Sequence, residues 1–179
     1  MREHEAFLLQ AKSDYTVYRM LLEQDREQVP ACHPLHYLQM ATEKLAKAIL
    51  ISSGVGEFDR YSHVAFSLMP SHLARADVAR KLGWENFRLF RLFLRRAVII
   101  FRAIDELNPS VGLQQPGGGS RDGPNTEYPW RSRNVKGGFV WMAPTQHSFA
   151  LMDRLRSADG AQMLLLVDRL LERFEAIFY

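Results

Sequence analysis

Apolar positions along the chain recur at helical spacing. Phe7, Ala11, Tyr15, Tyr18 and Leu22 stand three and four residues apart, which predicts a helix over residues 3–24 with these side chains on one face. The segment VPACHP, with Pro30 and Pro34, is expected to break it. A second helix follows over 36–52, with Leu38, Ala41, Leu45, Ala48 and Ile49 as its inner stripe and Gly54 and Gly56 beyond its end. Glu43 and Lys47 stand at i and i+4 in it, a pair expected to add only a few tenths of a kcal/mol. Residues 57–83 read as one or two short helices interrupted at Pro70, with Ser71 as an N-cap for HLARADVARKLG. A fourth element spans 84–107. There Phe87, Phe90, Leu94, Ala97, Phe101 and Ile104 form one stripe, and Leu89, Phe93 and Ile100 a second. So wide an apolar arc predicts burial on more than one side and puts this helix at the centre of a bundle.

Asn108-Pro109 closes that helix, and a long irregular stretch runs to Pro144. Its glycine-rich half, QQPGGGSRDGPN, reads as a mobile surface loop. The other half, EYPWRSRNVKGGFVWMAP, carries Tyr128, Trp130, Phe139 and Trp141, and so many aromatics predict a loop that packs back onto the domain. Helices follow over 145–156 and 158–178, the last lined by Met163, Val167, Leu170, Phe174 and Ile177. The expectation is a single all-α domain over 1–179. It comprises a helical core (1–107), a long ordered loop (108–144) and a C-terminal helical hairpin (145–179).

Composition narrows the setting. The 179 residues are 47% hydrophobic and 24% charged with a formal net charge of +3, which is globular, mildly basic and unlike a disordered chain. One cysteine, Cys32, excludes an intrachain disulfide and an all-cysteine zinc site, and fits a reducing compartment. MREHEAFLLQ is charged where a signal peptide would be apolar. No apolar run approaches the ~18 residues needed to span a bilayer. A cytoplasmic protein without membrane contact is expected.

The stretch HYLQMATEKLAKAIL (36–50), with the preceding AKSDYTVYRMLLEQ and the downstream His63, resembles the HEPN superfamily of small helical bundles. The family's second helix carries a Gln-rich Ala-Glu-Lys-x-x-Lys-Ala-x-Leu pattern. It appears here as Gln39, Ala41, Glu43, Lys44, Lys47, Ala48 and Leu50, with Thr42 between the Ala and the Glu. The resemblance covers roughly the first hundred residues and implies a HEPN-like up-and-down bundle, elaborated at its C-terminus. It also implies a homodimer, and either metal-independent ribonuclease activity or a role as a binding or assembly module. Partners of that module would be RNA, a nucleotide or a nucleotidyltransferase-like protein, in a toxin–antitoxin or defence setting. The family's catalytic signature is Arg, four to six residues, then His near the start of the last core helix. Arg26 and His33 have that spacing, but REQVPACH lies after the first helix and contains a proline. The departure favours the non-catalytic module, with a ribonuclease using a displaced Arg/His site as the alternative. A third reading is a nucleotide sensor.

Candidate chemistry follows from residue type. Arg88, Arg91, Arg95 and Arg102 share a narrow arc of the fourth helix, suited either to a phosphate backbone or to a solvated edge whose stems cover apolar surface. His63 is a candidate acid or base, or a packing residue. Glu127, Tyr128, Trp130, Arg131, Arg133, Asn134 and His147 are the densest polar and aromatic collection, suited to stacking on bases and pairing with phosphates. His63 or His147, with Arg131 or Arg133, would be the displaced site. No metal or cofactor is implied: His33 and His36 have no third ligand, PGGGSRDG lacks the Walker ending, and no G-x-S-x-G elbow is present. Cys32 has no partner base beyond its neighbour His33.

Overall fold

The computed structural model describes residues 1–25, 28–54, 65–108, 123–133 and 137–179. Helix α1 (Glu3–Leu22) opens where the Glu5 side chain turns back to the chain entry, its Oε2 accepting from the Arg2 backbone N–H at 2.6 Å. Glu3 and Glu5 also place negative charge at the positive end of the helix dipole. Ala11, Tyr15 and Tyr18 of the expected inner face are buried and Phe7 packs at their edge, whereas Leu22 is largely exposed.

Helix α2 (Cys32–Ser52) starts four residues earlier than its periodicity suggests. Pro34 lies in its first turn, where a missing N–H breaks no intrahelical bond, so the proline begins this helix instead of separating it from α1. It is buried over most of its surface and packs on α1 and three further helices, α3 (Ala65–Leu73), α5 (Phe87–Asp105) and α7 (Ala158–Phe178). α2 is therefore the most enclosed helix, while α5, the fourth periodic element, also packs on several helices but keeps one side exposed.

α3 runs through Pro70 without a break. The chain turns later, at Arg75, whose extended backbone (φ −121°, ψ 144°) begins α4 (Ala76–Lys81). Ser71 is thus inside α3, its hydroxyl donating to the Leu68 carbonyl at 2.8 Å, and is not an N-cap. The cap expected in that region is instead Asn86, whose side chain accepts from the N–H groups of Arg88 (2.9 Å) and Leu89 (3.1 Å) and starts α5. The inner stripe of α5 holds: Phe90, Leu94, Ala97, Phe101 and Ile104 are buried, with Phe93 and Ile100 beside them. Leu89, expected in the second stripe, faces outward at 55% exposure.

The 108–144 stretch is not all loop. Trp130–Arg133 (β1) and Phe139–Met142 (β2) form an antiparallel two-stranded hairpin, an addition to the otherwise all-α fold. A 3₁₀ turn over Pro144–Gln146 follows, so α6 (Ala150–Arg156) begins five residues later than residue 145. All five expected inner residues of α7 are buried. One hydrophobic cluster joins every helix, among others through Ala11, Leu45, Phe66, Val78, Phe101, Leu151 and Val167. Among the described residues, no helix is long and apolar enough to cross a membrane.

The corner between α6 and α7 is unusually tight. Ser157 caps α7 by accepting from the Gly160 N–H at 3.2 Å, which brings Gly160 against the end of α6. A Cβ on Gly160 would meet the Arg154 carbonyl and stand 2.5 Å from Leu155 Cα. Those atoms are backbone and cannot rotate away. Gly160→Ala is expected to cost about 2–3 kcal/mol despite alanine's better helix propensity. Urea unfolding measures this; a variant as stable as the parent would show that the corner opens freely.

Candidate functional site

The hairpin is held at its base by side chains that the sequence alone places in a loop. Asn125 Oδ1 accepts from the N–H groups of Glu127 (2.9 Å) and Tyr128 (2.7 Å), and Asn125 Nδ2 donates to the Gly123 carbonyl at 3.1 Å. Such self-bonded turns are what asparagine favours. The Thr126 N–H donates to the Leu107 carbonyl at the end of α5, and Glu127 Oε1 stands 3.8 Å from His36 Nδ1 on α2. Asn125 and Thr126 are buried, so this end of QQPGGGSRDGPN is packed rather than mobile; residues 114–122 lie outside the described residues.

Strand alternation then sorts the aromatics. Trp130 pairs with Met142, Arg131 with Trp141, Ser132 with Val140 and Arg133 with Phe139. Because successive side chains of a strand point to opposite sheet faces, Trp130, Ser132, Val140 and Met142 share one face and Arg131, Arg133, Phe139 and Trp141 the other. Trp130 is the seat: it is buried, edge-on to His147 at 5.1 Å, and His147 is edge-on to Phe149 at 4.7 Å. Trp130 is therefore not available to stack on a ligand. The opposite face is open, with Phe139 55% and Trp141 70% exposed and Tyr128 exposed nearby in sequence. Arg131 Cζ lies 4.4 Å from the Phe139 ring centroid and Arg133 Cζ 5.7 Å, so two guanidinium groups flank one ring.

Chemically this face offers two flat π surfaces and two permanent cations on a four-residue grid. Aromatic rings stack on bases of any identity, while guanidinium groups bond phosphate oxygens. His147, Arg131 and Arg133 also border one depression of about 530 Å³, with Pro124, Phe139 and Met142. With Trp130, which also borders it, four of the sequence-derived candidates are thus brought together there.

The other candidates scatter. Arg88, Arg91, Arg95 and Arg102 are exposed along α5, and no described carboxylate pairs with any of them. His63 and Asn134, like Arg26, lie outside the described residues. Cys32 is buried and burial pushes its thiol up, away from a nucleophilic thiolate. No group of three His, Cys, Asp or Glu side chains among the described residues could hold a metal ion.

Sequence reasoning grouped Phe139 and Trp141 with Trp130 without distinguishing them. The signal that separates them is the two-residue alternation in WRSR and FVWM. Also missed is a buried polar ladder on α2. Gln39 Nε2 donates to Glu43 Oε2 at 2.9 Å, and Lys47 Nζ donates to Glu43 Oε1 at 2.6 Å. Asp105, at the end of α5, is 2% exposed and accepts from the Ser67 N–H at 2.8 Å.

Compared with family models, with curated proteins and with solved structures, the chain matches none of them.

Proposed function

We propose that the chain is a non-catalytic RNA-binding module, its ligand held on the outer face of the β-hairpin. The supporting observation is the alternation that puts Arg131, Arg133, Phe139 and Trp141 on one exposed face while Trp130 anchors the other. The HEPN resemblance of residues 36–50 points the same way, toward a cytoplasmic module that works as a homodimer beside a nucleotidyltransferase-like protein. Tyr128 extends the stacking set, and Asn134, in the chain between the strands, belongs to the same segment.

Fluorescence anisotropy with a labelled single-stranded RNA tests this. Trp141→Ala is expected to weaken binding roughly tenfold, since stacking on one base contributes ~1–3 kcal/mol. Arg131→Glu with Arg133→Glu should weaken it further and flatten its salt dependence, because fewer counterions are released. RNA affinity unchanged in both variants removes the hairpin from the role.

The alternative, a metal-independent ribonuclease, is favoured by the shared depression of His147, Arg131 and Arg133. It expects RNA cleavage in the presence of a chelator that His147→Ala abolishes. Intact RNA after prolonged incubation eliminates it.

A further inference from the structure

The outward side of α5 has an asymmetry that the hairpin does not explain. A helix advances about 100° per residue, so Arg91, Arg102, Arg95 and Arg88 form one edge of it, and Ile99, Leu92, Ala103 and Leu89 follow around the circumference. Leu89, Leu92 and Ile99 are 55%, 50% and 62% exposed, although they stand among charged neighbours that could have covered them. At the far margin of this rib, between Ala103 and Leu89, stands Arg96, and Arg96 is neutralised: its guanidinium donates to Asp159 at 2.7 Å. The aliphatic rib is therefore bordered on one side only by cations that no described carboxylate pairs, along about 21 Å of helix from Arg88 to Arg102.

Each part of that pattern restricts the occupant. A phosphate backbone would use the arginines and leave three aliphatic side chains in water. Bases stack on flat rings, which Leu and Ile do not offer. A planar anionic lipid surface favours cations on both flanks of an apolar strip, yet here one flank is tied up by Asp159. In a second copy of the chain, the same face carries four arginines and no carboxylate between Arg88 and Arg102, so a symmetric pair has no counter-charge. An amphipathic helix with an acidic edge satisfies the whole pattern, its apolar positions at i, i+3 and i+7 lying along the rib and its carboxylates along the arginines.

We propose that the outer face of α5 is a docking surface for an acidic amphipathic helix of a partner protein. The rib supplies the apolar contact and Arg88, Arg91, Arg95 and Arg102 set the orientation of the incoming helix. The shallow depression of about 500 Å³ bordered by Phe87, Leu89, Leu92 and Arg95 receives its largest side chain. This surface is distinct from the hairpin, so the two readings stand or fall separately.

The probe is a fluorescent designed peptide with Leu at i, i+3, i+4 and i+7 and Glu along one edge, titrated with the full chain and compared with a scrambled peptide of identical composition. The designed peptide should bind and the scrambled one bind at least about tenfold more weakly. Leu92→Ser with Ile99→Ser, and separately Arg91→Glu with Arg95→Glu, should each lose about tenfold or more, while Trp141→Ala leaves the affinity unchanged. All substituted side chains are exposed, and circular dichroism verifies that each variant folds. No binding by the designed peptide, or equal binding by both, overturns the proposal. So does a Leu92→Ser/Ile99→Ser variant that converts a dimer to a monomer by light scattering, which assigns the face to a second copy. Flotation with phosphatidylserine vesicles, or RNA binding lost in Arg91→Glu/Arg95→Glu, overturns it in favour of a membrane or nucleic acid.

Discussion

Lys47→Ala is expected to cost about 3 kcal/mol or more of folding stability, because it takes the cation from a carboxylate that stays in the core. Glu43 and Lys47 are each only 5% exposed, and their 2.6 Å contact lies beneath α1, with Lys47 Nζ 5.9 Å from the Phe7 ring centroid. The same pair on a solvated helix face would contribute a few tenths of a kcal/mol. Burial changes the sign of what matters: the pair itself adds little net stability, but half of it is costly. For a chain of this size the loss corresponds to a fall of roughly 10 °C in the thermal midpoint. The distinguishing result is the double variant. Glu43→Leu with Lys47→Met removes both charges at similar volume and is expected to be more stable than Lys47→Ala alone. A single variant that melts within about 2 °C of the parent would mean that water reaches Glu43.

The second large effect is a pH dependence set by Asp105. Burial pushes its carboxyl up to about 7, with the Glu43 carboxylate adding to the rise and the hydrogen bond from the Ser67 N–H opposing it. Its side-chain Oδ1 has no hydrogen-bond partner among the described residues, and the bonds from Ser67 and the Phe66 backbone offset only part of the burial. The direction follows from proton counting. Between about pH 4 and pH 7 the folded chain keeps the proton and the unfolded chain has lost it, so stability falls as pH rises through that window and levels off above it. Three units correspond to roughly 4 kcal/mol at most. Asp105→Asn keeps an acceptor for the Ser67 N–H and removes the charge. It is expected to flatten the profile and to exceed the parent in stability at pH 8, by guanidinium unfolding across the range. A parent whose stability rises between pH 5 and pH 7, with the slope surviving in Asp105→Asn, would refute this account.

Both effects arise from groups whose environment a linear pattern does not carry. The three- and four-residue spacing of α1, α5 and α7 was legible because each of these helices buries one stripe. α2 buries nearly its whole circumference, polar Gln39, Thr42, Glu43 and Lys47 included, so amphipathicity understated its place. Two prolines fall inside helices for different reasons. Pro34 lies where a helix has no bond to lose, and Pro70 lies in a helix held by the burial of Phe66, Met69 and Leu73, so tertiary packing outweighed a local breaker. The arginine-aromatic segment was recognised by composition, but the choice among its rings needed the strand register. Trp130 and Trp141 are eleven residues apart in the same segment, yet one is a seat and the other a surface.

The contrast between those two indoles also makes the hairpin optically addressable. Of the three tryptophans, Trp84 is stacked on Phe93 at 5.3 Å and Trp130 is enclosed beside the His147 imidazole, leaving Trp141 in solvent. Iodide or acrylamide would dim the solvent-facing Trp141 first and leave the shielded Trp130 emitting. Emission from the unlabelled chain thus separates events on the two sides of a single small sheet.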